Sequence, residues 1–267
     1  ELADILKNRF RLFNKYGIVD KIPALSIKVD SLMSATSDKG VRLMCLELQI
    51  DNAVKAGHTS EAISLCHDAI GLLETSSDTQ GRDTKMYAIL NRLRPLCLAT
   101  QKYSEAMDIS RKMLSIREKD SGSDVGMEYF HVAEVYQALR DTTKALSYVD
   151  SIMNNGGKPS VDPMMEGRHL QLVGMLHGRF GKWDEAVRHY EKADSAMASV
   201  GSDRERLWLG SLKASALYNA KRLDESEAEY SRYYQGCRKV YGDDADVTIT
   251  ALNYLANIRA YSGRLEE

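Results

Sequence analysis

Apolar residues recur along most of the chain at spacings of three and four, which is the period of an amphipathic helix. The clearest case is the set Ala186, Tyr190, Ala193 and Met197, which falls on one face of a single helix. Short segments rich in Gly, Ser and Asp interrupt the pattern, and this composition is typical of turns. The pattern therefore predicts an all-α chain of helices joined by loops.

A six-residue phrase that ends in Ala or Ser recurs along the chain. Its final residue is Ala62, Ala106, Ala145, Ala186 or Ser226, so the steps are 44, 39, 41 and 40 residues, and a further copy begins at residue 263. Near-equal steps of this size are the signature of a helical repeat protein.

Each phrase predicts the turn between two antiparallel helices. Its first residue, a Gly or a long polar residue, suits the end of one helix, and a polar residue three positions later suits the N-cap of the next. A small residue twelve positions before the final one, such as Gly174 before Ala186, lets the two helices approach closely. The predicted N-caps are Ser60, Ser104, Thr143, Asp184 and Asp224.

The repeated unit is thus a helical hairpin. Its first helices are predicted near 39–56, 84–100, 125–139, 163–180, 204–220 and 245–262. Its second helices are predicted near 60–75, 104–119, 143–154, 184–200 and 224–240. Pro95 falls inside one of these helices, where it removes a backbone hydrogen bond, so we expect a kink there.

We interpret residues 1–267 as a single repeat domain. Residues 1–38 form degenerate N-terminal helices that include one at 22–33, and the repeats cover about 39–80, 81–122, 123–160, 161–202, 203–243 and 244–267, the last of them truncated. The helix 245–262 has no following partner helix in this sequence. Its apolar residues are therefore expected to be partly uncovered and to cause self-association or low local stability; they are Ile249, Leu252, Leu255 and Ile258.

The repeat resembles the tetratricopeptide repeat (TPR). The copy between Gly167 and Val200 is the most similar, with its motif residues in register at Leu170, Val173, Gly174, Gly181, Trp183, Ala186, Tyr190 and Ala193. The step of about 40 residues resembles the long-helix variety of kinesin light chains and many bacterial regulators. The resemblance implies a right-handed α-α superhelix of about six helical hairpins.

In the TPR family the first helices line a concave groove that binds a protein or peptide, and the resemblance implies the same here. Transferred onto this sequence, the groove positions are Glu47, Asp51, Asn91, Phe130, Glu134, Arg168, Gln171, Met175, Arg179, Trp208, Tyr218, Asn253, Asn257 and Tyr261. The Lys/Asn set that grips a C-terminal carboxylate in chaperone-type members is not reproduced.

The sequence gives little support for nucleic-acid binding, metal binding or catalysis. Lys plus Arg number 36 against 38 for Asp plus Glu, so no net positive charge favours nucleic acid. His169 and His177 could share a helix face, but no third ligand completes a zinc spacing. No catalytic motif, cofactor site or metal site is apparent, and no apolar run is long enough to cross a bilayer. We therefore expect a protein that is not an enzyme and has no cofactor.

Two contexts remain open. Phrases such as Asp150-Ser151-Ile152-Met153 resemble the sensor regions of bacterial TPR-containing histidine kinases and transcriptional regulators, which favours a sensory region of a larger two-component signalling protein with a periplasmic location. The alternative is a free-standing cytoplasmic adaptor similar to kinesin light chains. An enzyme whose site is assembled only in space is a distant third.

Overall fold

The computed structural model describes residues 22–75, 81–119, 124–154 and 162–261, together with residues 5, 8 and 12. Regular secondary structure in this part of the chain is entirely helical. The phrase that begins at residue 263 and most of the first 21 residues lie outside the described residues. The chain divides into two compact units, residues 1–119 and 120–267.

From residue 22 onward, the described part of the first unit contains one helix followed by two helical hairpins. Its helices are α1 (Ile22–Ala35), α2 (Lys39–Lys55), α3 (Thr59–Glu74), α4 (Arg82–Ala99) and α5 (Tyr103–Glu118). Each helix packs on the next one along the chain. Ile50, Ile89 and Leu90 are fully buried in these packing surfaces. The hydrophobic core therefore lies between successive helices.

The second unit repeats this arrangement. Its helices are α6 (Gly126–Ala138), α7 (Thr142–Ser147), α8 (Val149–Met153), α9 (Pro163–Arg179), α10 (Trp183–Met197), α11 (Asp203–Asn219), α12 (Leu223–Tyr241) and α13 (Asp246–Tyr261). The predicted helix 143–154 is divided at Tyr148 into α7 and α8. The helix α4 continues through Pro95 as one element.

The turn inside each hairpin is set by one backbone conformation. The first residue of each described phrase has a positive φ: Gly57, Gln101, Arg140, Gly181 and Lys221 lie between 60° and 75°. The following N–H then donates to a carbonyl five residues earlier, as His58 does to Ala53 at 2.9 Å and Lys102 does to Cys97 at 2.8 Å. This is the Schellman motif, which ends a helix by satisfying its last carbonyl groups.

The predicted N-caps are wrong by two positions. The second helices begin at Thr59, Tyr103, Thr142, Trp183 and Leu223, so the predicted cap residues lie in the first turn. Among the true cap residues of these helices, only Asp141 accepts a backbone N–H, that of Lys144 at 3.0 Å. The Schellman turn already positions the chain, and acidic residues such as Asp184 and Glu185 compensate the helix dipole instead.

The close crossing of α9 and α10 differs in detail from the predicted pairing of Gly174 with Ala186. A Cβ atom on Gly174 would lie 2.5 Å from Tyr190 Cε1, whereas one on Gly178 would lie 3.9 Å from the Cβ of Ala186. Gly174 therefore makes room for the Tyr190 ring, and Gly178 lies beside Ala186.

Candidate partner-binding surface

The groove positions predicted in the first unit lie on α2 and α4. Asp51 accepts a hydrogen bond from Arg92 Nε at 2.9 Å and so connects these two consecutive first helices. Glu47 is half-buried and Asn91 is exposed. The carboxylate of Asp51 is therefore already paired within the protein.

In the second unit Phe130 does not present its ring to solvent. It is only 3% exposed and packs in the core with Ala133 and Val173, so a role in direct partner contact is not supported by its position. The guanidinium of Arg179 lies 5.7 Å from the centre of the Phe130 ring and forms an ion pair with Glu134. Three predicted groove residues from two consecutive first helices are thus brought together.

The arginines of this surface carry compensated charges. Arg179 is paired with Glu134, and Arg168 donates to Glu205 Oε1 at 2.8 Å. The bond from Arg168, with those from the hydroxyl and backbone N–H of Ser202, lowers the pKa of Glu205 to about 2. Arg168 thereby supports the capping box of α11, in which Ser202 and Glu205 exchange hydrogen bonds. The charge of Arg179, one of the predicted groove positions, is thus already compensated within the protein.

Exposed aromatic residues mark the C-terminal part of the surface. Trp208 on α11 is 54% exposed and Tyr261 on α13 is 60% exposed. Tyr261 and Tyr218 form an edge-to-face pair with ring centres 5.9 Å apart. The Lys221 ammonium lies 5.8 Å from the centre of the Tyr218 ring and 5.7 Å from that of Tyr261. We call Tyr218, Lys221 and Tyr261 the aromatic patch; Trp208 lies ten residues before Tyr218 on α11, about 15 Å along the helix axis.

Lys221 is absent from the predicted groove residues. Those residues were taken from the first helices only, whereas Lys221 occupies the positive-φ turn that follows α11. The sequence does contain a signal that could have identified Lys221. The equivalent turn position of the fourth repeat is Gly181, whereas the fifth repeat has a cation at this position. Turn residues of a repeat can therefore add charge beside the helix face.

The remaining groove positions are polar and accessible to different degrees. Asn253 and Asn257 are both exposed and lie one turn apart on α13, while Gln171 and Met175 are half-buried on α9. The apolar set of α13 is divided: Leu255 and Ile258 are buried, whereas Ile249 is 47% and Leu252 is 44% exposed.

The histidines considered for zinc have other contacts. His169 is buried and lies 2.8 Å from Asp124 Oδ1 through its Nε2. His177 stacks on His189, with ring centres 5.1 Å apart, and burial lowers the pKa of both. Within residues 22–261, as far as they are described, no three His, Cys, Asp or Glu side chains group to hold a metal ion.

The cysteines are poor nucleophiles in this environment. All four are buried, and burial raises the pKa of Cys66 to about 11 and that of Cys97 to about 12. A thiol with such a pKa is protonated at neutral pH. No helix in the described ranges has the length and apolar composition to cross a membrane.

Comparison with known proteins supports the fold. No protein-family model matches the chain. One curated relative, protein kinesin light chain-related 3 of Arabidopsis thaliana, is 22% identical over 286 residues, and the match covers all of this chain but 42% of that protein. The chain thus spans less than half the length of this relative.

Three solved structures with similar folds each share 14% identity with the chain. A Rap protein complexed with competence and sporulation factor gives a TM-score of 0.60 over 98% of this chain and 76% of that one. BtubC (BKLC) from P. vanneervenii gives 0.57 over 83% and 85%. A putative kinesin light chain from Podosopora anserina gives 0.54 over 71% and 90%. The chain has a TPR-like helical repeat fold.

Proposed function

We propose that this protein is a non-catalytic scaffold that binds an extended segment of a protein or peptide along the first helices of its second unit. The observation that carries the proposal is the aromatic patch, where the half-buried Tyr218 and the exposed Tyr261, from two consecutive first helices, both lie beside the Lys221 ammonium. Large aromatic residues that stay exposed together are typical of binding surfaces.

The patch and its neighbours offer complementary chemistry. Aromatic faces accept apolar side chains of a partner, and Lys221 accepts a carboxylate without losing its contact with the rings. The amides of Asn253 and Asn257 each supply a donor and an acceptor for an extended backbone. We therefore expect a partner segment that combines an acidic residue with apolar residues.

The similar structures are consistent with this role. The Rap structure contains a protein complexed with competence and sporulation factor, and the putative kinesin light chain from Podosopora anserina has nearly identical TPR-like repeats. For the context of the chain, we propose the sensory or interaction region of a larger bacterial signalling protein. The alternative is a kinesin-light-chain-like adaptor, which the curated relative favours. The full-length reading frame separates them, since only the first requires a kinase or DNA-binding domain beyond this region.

The binding proposal is tested with a displayed library of random twelve-residue peptides. Selected peptides are titrated against the wild type and against Trp208→Ala with Tyr261→Ala, which removes the Tyr261 ring of the aromatic patch and the exposed Trp208 ring of the same first helices. The control is Arg188→Ala with Glu191→Ala, two exposed positions on the second helix α10. We expect affinity to fall about tenfold or more in the first variant only. Equal loss in the control, or none in the first variant, would contradict the proposal.

A further inference from the structure

A cavity of about 280 Å³ lies between the second helices α10 and α12, with the first helix α11 as its floor. Gly210 on α11 lines the cavity, as do Tyr233 and Val240 on α12. Trp208 is two residues from Gly210, which is about 200° around a helix axis. The cavity therefore opens on another side of α11 from Trp208, and no residue of the aromatic patch lines it.

The repeat explains why space is available here. Gly210 stands eleven residues before the phrase that begins at Lys221, and the same position in the other repeats holds a large side chain: Leu46, Leu90, Tyr129, Leu170 and Leu252. A Cβ atom on Gly210 would meet no heavy atom within 4 Å. A side chain that every other repeat contains is missing, and nothing in the described part of the chain takes its place.

The charges inside the cavity are also specific to this repeat. Lys213 and Glu229 replace residues that are Leu93 and Ile109 in the second repeat. Their side chains are 14% and 10% exposed and form an ion pair, and Arg232 Nη1 lies 3.1 Å from the same Glu229 oxygen. Two cations thus share one carboxylate, and since the Arg232 side chain is 69% exposed, the excess positive charge lies at the opening of the cavity.

The rim does not cancel this charge. Arg206 is paired with Asp194 at 3.7 Å, while Lys239 and Asp203 add one charge of each sign. Four cations therefore face three carboxylates around the cavity. A second carboxylate next to Lys213 and Arg232 would balance the group.

The equivalent cleft of the first unit, between α3 and α5, shows the contrast. It has a similar volume of about 320 Å³, but along α4 it extends only as far as Met86. Leu90 and Leu93, which correspond to Gly210 and Lys213, are buried in the core beyond it. Lys112 pairs with Glu74 and Lys119 with Asp83, each at 2.7 Å, and Arg82 also lines this cleft, so the two clefts differ in how deep they extend and not in net charge.

We propose that the cavity of the second unit binds a small organic monocarboxylate whose apolar group has the size of a leucine or phenylalanine side chain. The apolar group occupies the space above Gly210, and the carboxylate binds between Lys213 and Arg232. The volume is near the lower end of ligand pockets, which span about 300–1,000 Å³, so the ligand is a small molecule.

The test uses fluorine NMR with a panel of fluorinated aryl and branched alkyl monocarboxylates, para-fluorophenylacetate among them. We expect saturable binding of at least one acid to the wild type, and at least about tenfold weaker binding of the corresponding neutral amide. Failure of every acid to saturate, or equal binding of acid and amide, would overturn the proposal.

Variants locate the site. Gly210→Leu restores the side chain of the other repeats and should abolish binding, while Arg232→Gln should weaken it about tenfold. The matched control is Gly71→Leu on α3, where a Cβ atom also meets no heavy atom within 4 Å. Circular dichroism checks that each variant folds. Unchanged acid binding in both Gly210→Leu and Arg232→Gln would contradict the proposed site. Peptide binding by Gly210→Leu is measured as well: if it is retained, the loss of acid binding is independent of the proposed groove function.

Discussion

Gly174 and Gly71 are both helical glycines, but their surroundings differ. A Cβ atom on Gly174 would lie 2.5 Å from the Tyr190 ring, whereas one on Gly71 would meet no heavy atom within 4 Å. We expect Gly174→Ala to lower the free energy of unfolding by about 1–3 kcal/mol through overpacking. Gly71→Ala should raise it by about 0.4–1 kcal/mol because the unfolded chain loses freedom. Urea denaturation of both variants checks this, and equal effects would show that the α9–α10 crossing is looser than described.

The turn residues give a second prediction at this scale. Gln101 has a φ of 60°, a conformation that costs a non-glycine residue about 1–2 kcal/mol. Gln101→Gly should therefore raise the unfolding free energy by about 1 kcal/mol. Gly57 has a φ of 75° and open space around it, so Gly57→Ala should lower it by a similar amount. Thermal unfolding of the pair measures both, and changes of the same sign would exclude backbone strain as the cause.

At the scale of the helix pair, the stacked rings of His177 and His189 connect α9 to α10. Burial lowers the pKa of both, so below pH about 6.5 the unfolded chain binds more protons than the folded one. Stability should therefore fall as the pH falls from 7 toward the lowered pKa values of the folded state. His177→Gln with His189→Gln should make this fall shallower, whatever its effect at pH 7.

Urea titrations at several pH values between 7 and 5 measure the slope of the unfolding free energy. The other histidines, including His169 beside Asp124, are the same in both proteins, so the difference in slope belongs to the stacked pair. Identical slopes in the wild type and the double variant would contradict the assignment.

The helices themselves were largely predictable from sequence. Predicted and observed first helices agree within about two residues, as for 163–180 against Pro163–Arg179, because the apolar period and the repeated turn set both ends. The N-caps were mispredicted because a positive-φ turn positions the chain without a side-chain cap. The break at Tyr148 between α7 and α8 has no signal in the apolar period.

The surface was less predictable. The repeat register assigned Trp208, Tyr218 and Tyr261 to the groove, and the structure has them at exposed or half-buried helix positions; it also assigned Glu134 and Arg179, which form an ion pair. It did not distinguish a buried ring, as at Phe130, from an exposed one, because burial depends on which side chains the neighbouring repeat contributes. The contacts of Lys221 and the cavity at Gly210 could not be predicted, because both depend on which helices are neighbours in space.

At the scale of the whole molecule, α13 gives a prediction about assembly. Ile249 and Leu252 are 47% and 44% exposed on this helix, and burying such a side chain contributes about 1.5–3 kcal/mol. We propose that this protein self-associates through them. Sedimentation velocity should show concentration-dependent association that Ile249→Ser with Leu252→Ser abolishes. A monomer at every concentration of the wild type would contradict it.

The central claim is that the first helices of the second unit form the surface that binds a protein or peptide partner. The most direct test is calorimetric titration of a selected peptide against Asn253→Ala with Asn257→Ala. Because these amides would hold the partner's backbone, we expect binding to weaken by about 1–3 kcal/mol. Circular dichroism should be unchanged, since both side chains are exposed in the free protein. The account is contradicted if affinity is retained in this variant while Arg188→Ala with Glu191→Ala on α10 abolishes it.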